Sequence, residues 1–423
     1  MRSRFRRPAS AKRPVRAARV QRGKRLVLYV LPVGLSLGAL AISFPLLIQV
    51  TGPLLWGKIA LGQTIGSLTS LFVLFGWGVV GPTSVALLKP AERPAYFASS
   101  FFSRLAIAAI VVPIGAVVVG LLVRRLEPVI FVSFAAVAVG GLGGSWYFIG
   151  EARPDRNLLF DALPRLGGIL VGIGVLVYLK SAISYASAQL LGALVAASLS
   201  LAVVQRDSAQ PLLSSARGAL RRLTGQASAV GTAAVAATYT ASPVIIMGVI
   251  APTFLAQYAL LDKLVKIANT AFSVLLQILQ GWVPARSDLA AARRRVAVRL
   301  SVGVGTVAAV GWALLLPVVG NLLSGGAISL GPSLSVPSGI AVGLIVISQC
   351  TGLVLLASDG RMSVVFVSTL SGAALGIPSI LVGAVVFGAV GVAWAVTLSE
   401  GVVLAIQIVA LARGRRSRVD APV

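Results

Sequence analysis

Long apolar segments separated by short polar ones run through almost the whole chain. Twelve of these segments contain roughly 20 residues, which is the length that an α-helix needs to cross the hydrocarbon core of a bilayer. The pattern therefore predicts an all-α, polytopic membrane protein with twelve transmembrane helices. The predicted helices are at 26–48, 56–80, 103–123, 128–150, 157–179, 183–204, 227–250, 254–283, 296–320, 335–357, 363–387 and 390–411.

The distribution of basic residues provides a test of this helix count. Cytoplasmic segments of membrane proteins carry an excess of Lys and Arg. With the N-terminus in the cytoplasm, the predicted cytoplasmic segments hold 29 of the 37 Lys and Arg residues, and the external segments hold only Arg124, Arg125 and Lys180. A miscounted helix would invert every later loop, so the distribution supports twelve spans with both termini in the cytoplasm.

The composition limits the chemistry that this chain can perform. A content of 57% hydrophobic and 11% charged residues, with a mean hydropathy of +0.95, excludes a soluble protein of this length. The chain has no His, a single Cys at position 350, and 11 acidic residues. Zinc sites, Cys/His catalysis and disulfides therefore have no residues to build them. We expect a protein that is not an enzyme and that uses no metal and no cofactor.

Basic ends and one central linker divide the chain. Residues 1–25 contain 11 Lys or Arg and no acid, so they are predicted to be a disordered cytoplasmic tail that binds anionic membrane lipids rather than nucleic acid. The longest cytoplasmic connection, 205–224, separates an N-terminal six-helix bundle at 26–204 from a C-terminal six-helix bundle at 225–411. Residues 412–423 form a basic cytoplasmic C-terminus.

The two predicted bundles resemble each other at an offset of 199 residues. Gly52-Pro53 before predicted helix two matches Ala251-Pro252 before predicted helix eight, and the segment 59–61 matches the segment 258–260. Six helices separate the two copies, so both copies cross the membrane in the same direction. Parallel repeats of this kind commonly place a substrate site between two pseudo-symmetric bundles near the bilayer midplane.

Ionised side chains inside the predicted helices are the candidates for such a site. Each costs about 2.5 to 3.5 kcal/mol at the centre of a helix that faces lipid, so these side chains should face a polar interior. Asp262, Lys263 and Lys266 share one face of predicted helix eight, and Asp161 and Arg165 are four residues apart in predicted helix five. These patterns fit either ion pairs that only position the helices or a cationic cavity that receives an anion. For Arg165, snorkelling to the membrane surface is a third alternative.

Three further charged residues have separate interpretations. Glu400 lies near the middle of predicted helix twelve, with no basic residue within four positions. It is a candidate for ion or proton coupling, or else a neutral acid that is hydrogen-bonded to a neighbouring helix. Arg104 and Lys58 lie nearer to helix ends, and for both of them the sequence predicts snorkelling.

Several motifs resemble those of a known transporter family. The segment Trp146-Tyr147-Phe148-Ile149-Gly150-Glu151, followed by 162–166 with the sequence ALPRL, is similar to a pattern in bacterial polysaccharide (O-antigen type) flippases. The segments 257–264 and 283–287 resemble that family's eighth helix and exit loop, and 58–78 resembles its second helix. The resemblance covers most of the chain.

This resemblance implies a member of the multidrug/oligosaccharidyl-lipid/polysaccharide exporter superfamily. Such a protein moves undecaprenyl-diphosphate-linked oligosaccharide across the bacterial plasma membrane to the outer leaflet. The cationic cavity of the family would fall on Arg165, Lys263 and Lys266, with Asp161 and Asp262 as supporting ion pairs. The implied partners are membrane lipids, the undecaprenyl-diphosphate-linked glycan, and glycan polymerase or glycosyltransferases.

Two alternatives remain open at this stage. Drug or small-molecule antiporters of the same superfamily usually have an acidic residue in the first helix, and residues 26–48 contain none. A membrane glycosyltransferase or ligase needs a large external loop with catalytic carboxylates or a histidine. The longest predicted external loop, Asn321 to Leu334, has no ionisable side chain. The flippase is therefore the preferred interpretation.

Overall fold

The computed structural model describes residues 13–123, 127–208, 227–283 and 290–419. Nearly all of these residues are helical, and no strand occurs among them, so the predicted all-α class is confirmed. Most of the predicted linker at 205–224 lies outside the described residues, as do Arg124, Arg125 and the first part of the predicted basic tail.

Thirteen α-helices occur in the described residues, and short 3-10 and π-helical turns connect or interrupt them. The α-helices are α1 Arg13–Leu74, α2 Trp77–Leu87, α3 Arg93–Val123, α4 Pro128–Ala138, α5 Ser145–Gly150, α6 Pro154–Asn157, α7 Leu163–Leu179, α8 Ala182–Arg206, α9 Ala227–Ile250, α10 Leu255–Trp282, α11 Ala290–Ser324, α12 Pro332–Gln349 and α13 Met362–Val419. The 3-10 turns are Pro90–Glu92, Val139–Leu142 and Pro252–Phe254, and the π-helical turns are Leu158–Ala162 and Cys350–Leu356.

Local sequence signals mark several helix ends. Helices α4 and α12 begin at Pro128 and Pro332, where a missing backbone N–H costs nothing because the first turn of a helix has no partner for it. Ser181 caps α8 by accepting a hydrogen bond from the backbone N–H of Ser184 at 3.4 Å. Lys180 ends α7 in the left-handed conformation, with φ at 52°.

Two glycines break the longest helices. Gly52 inside α1 has φ at 73°, and Gly388 inside α13 has φ at 58°, which are backbone conformations that favour glycine. Eight helical segments of the described chain are long and apolar enough to cross a membrane, and the two longest, Gly38–Leu87 and Met362–Arg413, contain these breaks. The chain is therefore a multi-pass membrane protein, while the exact number of spans stays a prediction.

Close packing within each part of the chain depends on small residues. In the N-terminal part, α7 packs on α8, and a Cβ atom added to Gly168 would lie 2.9 Å from the Cα atom of Gly192. In the C-terminal part, α11 packs on α12, and a Cβ atom on Gly343 would lie 2.8 Å from the carbonyl oxygen of Gly305. Glycines at these contacts let the helix backbones approach closely.

One apolar core joins the N-terminal and C-terminal parts at the end of the molecule where the chain turns at Gly52 and Ala251. We call this the Gly52 end. Side chains from both parts are buried together in this core, where they exclude water and lipid. They include Leu47, Ile48 and Trp56 of α1, Met247 of α9 and Leu260 of α10.

Each part has its own core at the opposite end of the molecule. The N-terminal core contains Trp77, Phe97 and Trp146, whereas the C-terminal core contains Leu279 and Val354. Within the described ranges, neither of these cores includes a residue from the other part. The two parts are thus packed together at the Gly52 end and packed independently at the other end.

Positions related by the 199-residue offset meet at the Gly52 end. Gly57 of α1 and Ala256 of α10 are such a pair, and a Cβ atom added to Gly57 would lie 3.0 Å from the backbone of Ala256. Contact between equivalent positions is the arrangement expected where a pseudo-two-fold axis passes between two repeats. This contact closes the Gly52 end.

Candidate functional site

A cavity of about 340 Å³ lies between α1 and α10, farther along both helices from the Gly52 end than the contact of Gly57 with Ala256. The predicted cavity residues Arg165, Lys263 and Lys266 all line this cavity. The other lining residues are Leu40, Gln63, Thr64, Ser67, Ala136, Val137, Ile169, Gln189, Ala193 and Asp262.

The 199-residue offset also relates the cavity residues of α1 to those of α10. Gln63 of α1 is equivalent to Asp262 of α10, and Ser67 is equivalent to Lys266. Gln63 and Ser67 are not among the residues predicted from the sequence to line the cavity, although the same offset leads to them. Equivalent positions therefore line the cavity with neutral side chains on one side and charged side chains on the other.

Arg165 is held at the cavity wall by partners on two elements. Its Nε atom lies 3.3 Å from Oδ2 of Asp161, and its terminal nitrogen donates to the carbonyl oxygen of Gly140 at 3.2 Å. The Asp161 carboxylate also accepts a hydrogen bond from the backbone N–H of Gly144 at 3.2 Å. Arg165 lines the cavity in this arrangement. The structure therefore favours the cavity over the alternative of snorkelling to the membrane surface.

The two lysines of α10 have different partners. Lys266 forms an ion pair with Asp262, with 2.7 Å between Nζ and Oδ2. Lys263 instead donates to Oε1 of Gln63 at 2.7 Å, and its ammonium lies 5.7 Å from the centre of the Phe44 ring. Both partners of Lys263 belong to α1. Lys263 therefore joins the C-terminal part to the N-terminal part across the cavity.

Glu400 lies at a second, smaller cavity of about 110 Å³ in the C-terminal part. Its Oε1 accepts a hydrogen bond from the Tyr239 hydroxyl at 3.3 Å, and that hydroxyl lies 2.5 Å from Oγ of Ser399. Asp262 and Lys266 line this cavity as well as the larger one. In the described part of the chain, no group of three or more His, Cys, Asp or Glu side chains lies close enough to hold a metal ion.

The predicted snorkelling of Arg104 is wrong. The side chain is fully buried, and its NH1 atom donates to the carbonyl oxygens of Gly141 and Gly143, at 2.8 Å each. The glycine-rich turn between α4 and α5 interrupts the helix and leaves these carbonyls without backbone donors, so a buried guanidinium satisfies them. Lys58 is half-buried near the Gly52 end, and its snorkelling stays a prediction.

The motif 146–151 lies away from the cavity and holds the end of α5. Trp146 packs in an aromatic cluster, with its ring centre 5.5 Å from that of Trp77. A Cβ atom on Gly150 would lie 2.7 Å from the carbonyl oxygen of Pro82. Burial raises the pKa of Glu151 above its usual value, and the guanidinium of Arg156, 3.8 Å away, opposes that shift. The motif is therefore structural in this chain.

Similar folds occur among solved structures, although no family model and no curated protein matches the sequence. The lipid II flippase MurJ, in an inward closed conformation, is 10% identical with a TM-score of 0.68, over 92% of this chain and 87% of MurJ. An inward-facing multidrug resistance MATE family transporter of the MOP superfamily is 14% identical with a TM-score of 0.54, over 92% and 94%. A eukaryotic MATE transporter is 12% identical with a TM-score of 0.58, over 95% and 99%.

At sequence identities of 10% to 14%, the similarity to these structures establishes the fold alone. The chain has the fold shared by these membrane transporters and flippases, with a cavity between its two parts that carries Arg165, Lys263 and Lys266.

Proposed function

We propose that this protein is a flippase that moves lipid-diphosphate-linked oligosaccharide from the cytoplasmic to the outer leaflet. The observation that carries this proposal is the meeting of Arg165, Lys263 and Lys266 at one cavity between the two parts of the chain. Cationic groups in a cavity with low-dielectric walls attract anions and reject cations, so a diphosphate or an acidic sugar fits this chemistry.

Alternating access is the proposed mechanism. The two parts are the proposed N-terminal and C-terminal six-helix bundles, at 26–204 and 225–411. They are packed together at the Gly52 end and independently at the other end. In the proposed orientation both termini are cytoplasmic, so this state opens to the cytoplasm and is closed to the outside. The head group would enter the cavity while the lipid tail stays in the bilayer.

The proposed setting is the bacterial plasma membrane, with an undecaprenyl-diphosphate-linked glycan as the cargo. Glycosyltransferases or a glycan polymerase would supply or consume such a glycan on the two sides of the membrane, and they are the proposed protein partners. The similarity of fold to a lipid II flippase supports a lipid-linked cargo.

Removing positive charge from the cavity tests this proposal. In a variant with Lys263→Gln and Lys266→Gln, we expect flipping of undecaprenyl-diphosphate-linked oligosaccharide in proteoliposomes to fall at least about tenfold, because the anion loses two of its three cationic partners. The control is Lys58→Gln, which makes the same kind of substitution and removes one positive charge near the Gly52 end and outside the cavity. Normal flipping by the double variant would overturn the proposal.

Glu400 is proposed to couple transport to a proton. Its cavity shares Asp262 and Lys266 with the larger cavity, so a change of charge at Glu400 acts close to the cargo site. In a Glu400→Gln variant, we expect flipping to lose its dependence on pH, because an amide cannot bind or release a proton while its oxygen still accepts from Tyr239. Flipping would be measured across a range of pH values, with Glu92→Gln as the control. An unchanged pH profile in the variant would exclude the coupling role.

A drug or small-molecule antiporter is the second candidate function, and the similarity of fold to two MATE transporters favours it. The two candidates differ in the charge of the cargo. Export of a cationic dye by the purified protein, without binding of undecaprenyl diphosphate, would favour the antiporter. Binding of undecaprenyl diphosphate without dye export is the result that we expect.

A further inference from the structure

The positive charges of the larger cavity are not equally available to a ligand. Arg165 is paired with Asp161, and Lys266 is paired with Asp262. Lys263 forms no ion pair with any carboxylate that the structure describes, and its ammonium donates to the neutral amide of Gln63. The cavity therefore has one uncompensated positive charge, which lies at Lys263.

The amide of Gln63 has a defined orientation at this position. A lysine ammonium only donates hydrogen bonds, so the Gln63 atom that faces Lys263 at 2.7 Å must be the oxygen. The amide nitrogen of Gln63 is then left with two N–H donors beside the uncompensated ammonium. An ammonium next to a neutral donor is a suitable partner for a phosphate oxygen, because such hydrogen bonds to an anion are stronger than neutral ones.

We infer that Lys263 and Gln63 together form the contact for a phosphate group of the cargo, with Gln63 as a residue that determines specificity. This inference rests on the proposed function and names the contact within the same cavity. Arg165 and Lys266 contribute less, because each is already compensated by its own carboxylate. The pairing of Gln63 with Lys263 also explains why a neutral side chain of α1 faces the charged side chains of α10.

The contact depends on how the two parts are arranged. Gln63 belongs to α1 and Lys263 to α10, so the phosphate contact is complete only while the two parts are packed together at the Gly52 end. Opening that end would separate the two side chains, and the bound anion would lose one of its two sets of donors. The site therefore binds the anion more tightly in this state than in the opposite state. The lower affinity in the opposite state favours release of the cargo.

A Gln63→Glu variant tests the inference, because it adds a carboxylate of nearly the same shape beside Lys263. Purified full-length protein in lipid nanodiscs would be titrated with undecaprenyl diphosphate, with undecaprenol as the uncharged probe. We expect Gln63→Glu to bind the diphosphate at least about 30-fold more weakly, because the new carboxylate cancels the uncompensated charge. Thermal stability should stay equal or rise, because an ion pair replaces a hydrogen bond between a charged and a neutral group.

Two further variants separate this contact from other effects. Gln189→Glu adds the same charge to the same cavity, but its amide donates to Tyr185, so we expect a much smaller loss of diphosphate binding. A double variant, Gln63→Lys with Lys263→Gln, exchanges the two side chains and should restore binding to within about threefold of the natural protein.

The outcomes distinguish this inference from the proposed function. Diphosphate binding by Gln63→Glu that equals the binding by the natural protein overturns the inference and leaves the proposed function standing. A natural protein that binds undecaprenyl diphosphate no better than undecaprenol overturns both. A role for Gln63 in holding the two parts together, and nothing more, predicts that Gln63→Glu binds the diphosphate normally or better, which is the opposite of our expectation.

Discussion

A disulfide between positions 57 and 256 is expected to stop transport completely. Gly57 and Ala256 are related by the 199-residue offset, and a Cβ atom on Gly57 would lie 3.3 Å from Cβ of Ala256. Disulfides form where two Cβ atoms are about 3.5 to 4.5 Å apart, so a small shift brings the pair Gly57→Cys and Ala256→Cys into range. A covalent bond there keeps the Gly52 end closed, and alternating access requires that end to open.

The experiment uses a Cys350→Ser background, because Cys350 is the single cysteine of the chain. Flipping by oxidised proteoliposomes should be absent, and a reducing agent should restore it. The matched controls are Gly57→Cys alone and Ala256→Cys alone, which carry the same substitutions but cannot form the bond. Both controls should flip their cargo when oxidised. Continued flipping by the oxidised Gly57→Cys and Ala256→Cys protein would show that transport does not require the Gly52 end to open.

Replacing Arg104 by leucine is expected to lower the free energy of unfolding by about 3 to 5 kcal/mol. The Arg104 guanidinium is the donor to the carbonyl oxygens of Gly141 and Gly143, and both oxygens are buried in the protein interior. Leucine fills much of the space but donates nothing, so two acceptors lose their partner. The guanidinium also lies 5.5 Å from the centre of the Trp146 ring, and that attraction is lost as well.

Reversible unfolding in mixed micelles measures this loss of stability. Arg361→Leu is a suitable control, because Arg361 also donates to a backbone carbonyl, that of Ala410 at 2.8 Å, but from a partly exposed position. We expect Arg361→Leu to lower the free energy of unfolding by about 1 kcal/mol or less, since water can replace the lost donor. An Arg104→Leu protein as stable as the control would mean that the glycine-rich turn does not depend on the guanidinium.

The charged residues show how far sequence reasoning reaches in a membrane protein. An ion in hydrocarbon is costly wherever it faces lipid, so the sequence makes Lys263 and Lys266 candidates for an inward-facing position, whereas for Arg165 it leaves snorkelling open. A different rule, that basic side chains near helix ends snorkel, misplaced Arg104. Its distance from the end of the helix suggested snorkelling, but its carbonyl partners lie in the glycine-rich turn after α4, 37 and 39 residues away in the chain.

The partner of Glu400 illustrates the same limit. The structure pairs Glu400 with Tyr239, which is 161 residues away in the chain, and nothing in the sequence around Glu400 indicates that partner. Gln63 was within reach of the sequence, because the 199-residue offset relates it to Asp262. Its hydrogen bond to Lys263 was not, because that bond depends on the rotation of α1 and α10 about their axes.

The sequence by itself determined that this chain is an all-α membrane protein and which ionised groups must avoid lipid. These properties follow from the length and composition of each segment, which act locally. Only the tertiary structure decided which cavity charges are paired with a carboxylate, that Lys263 is not among them, and which end of the molecule is closed. Those outcomes depend on how distant helices are rotated and packed against each other, and no single segment carries that information.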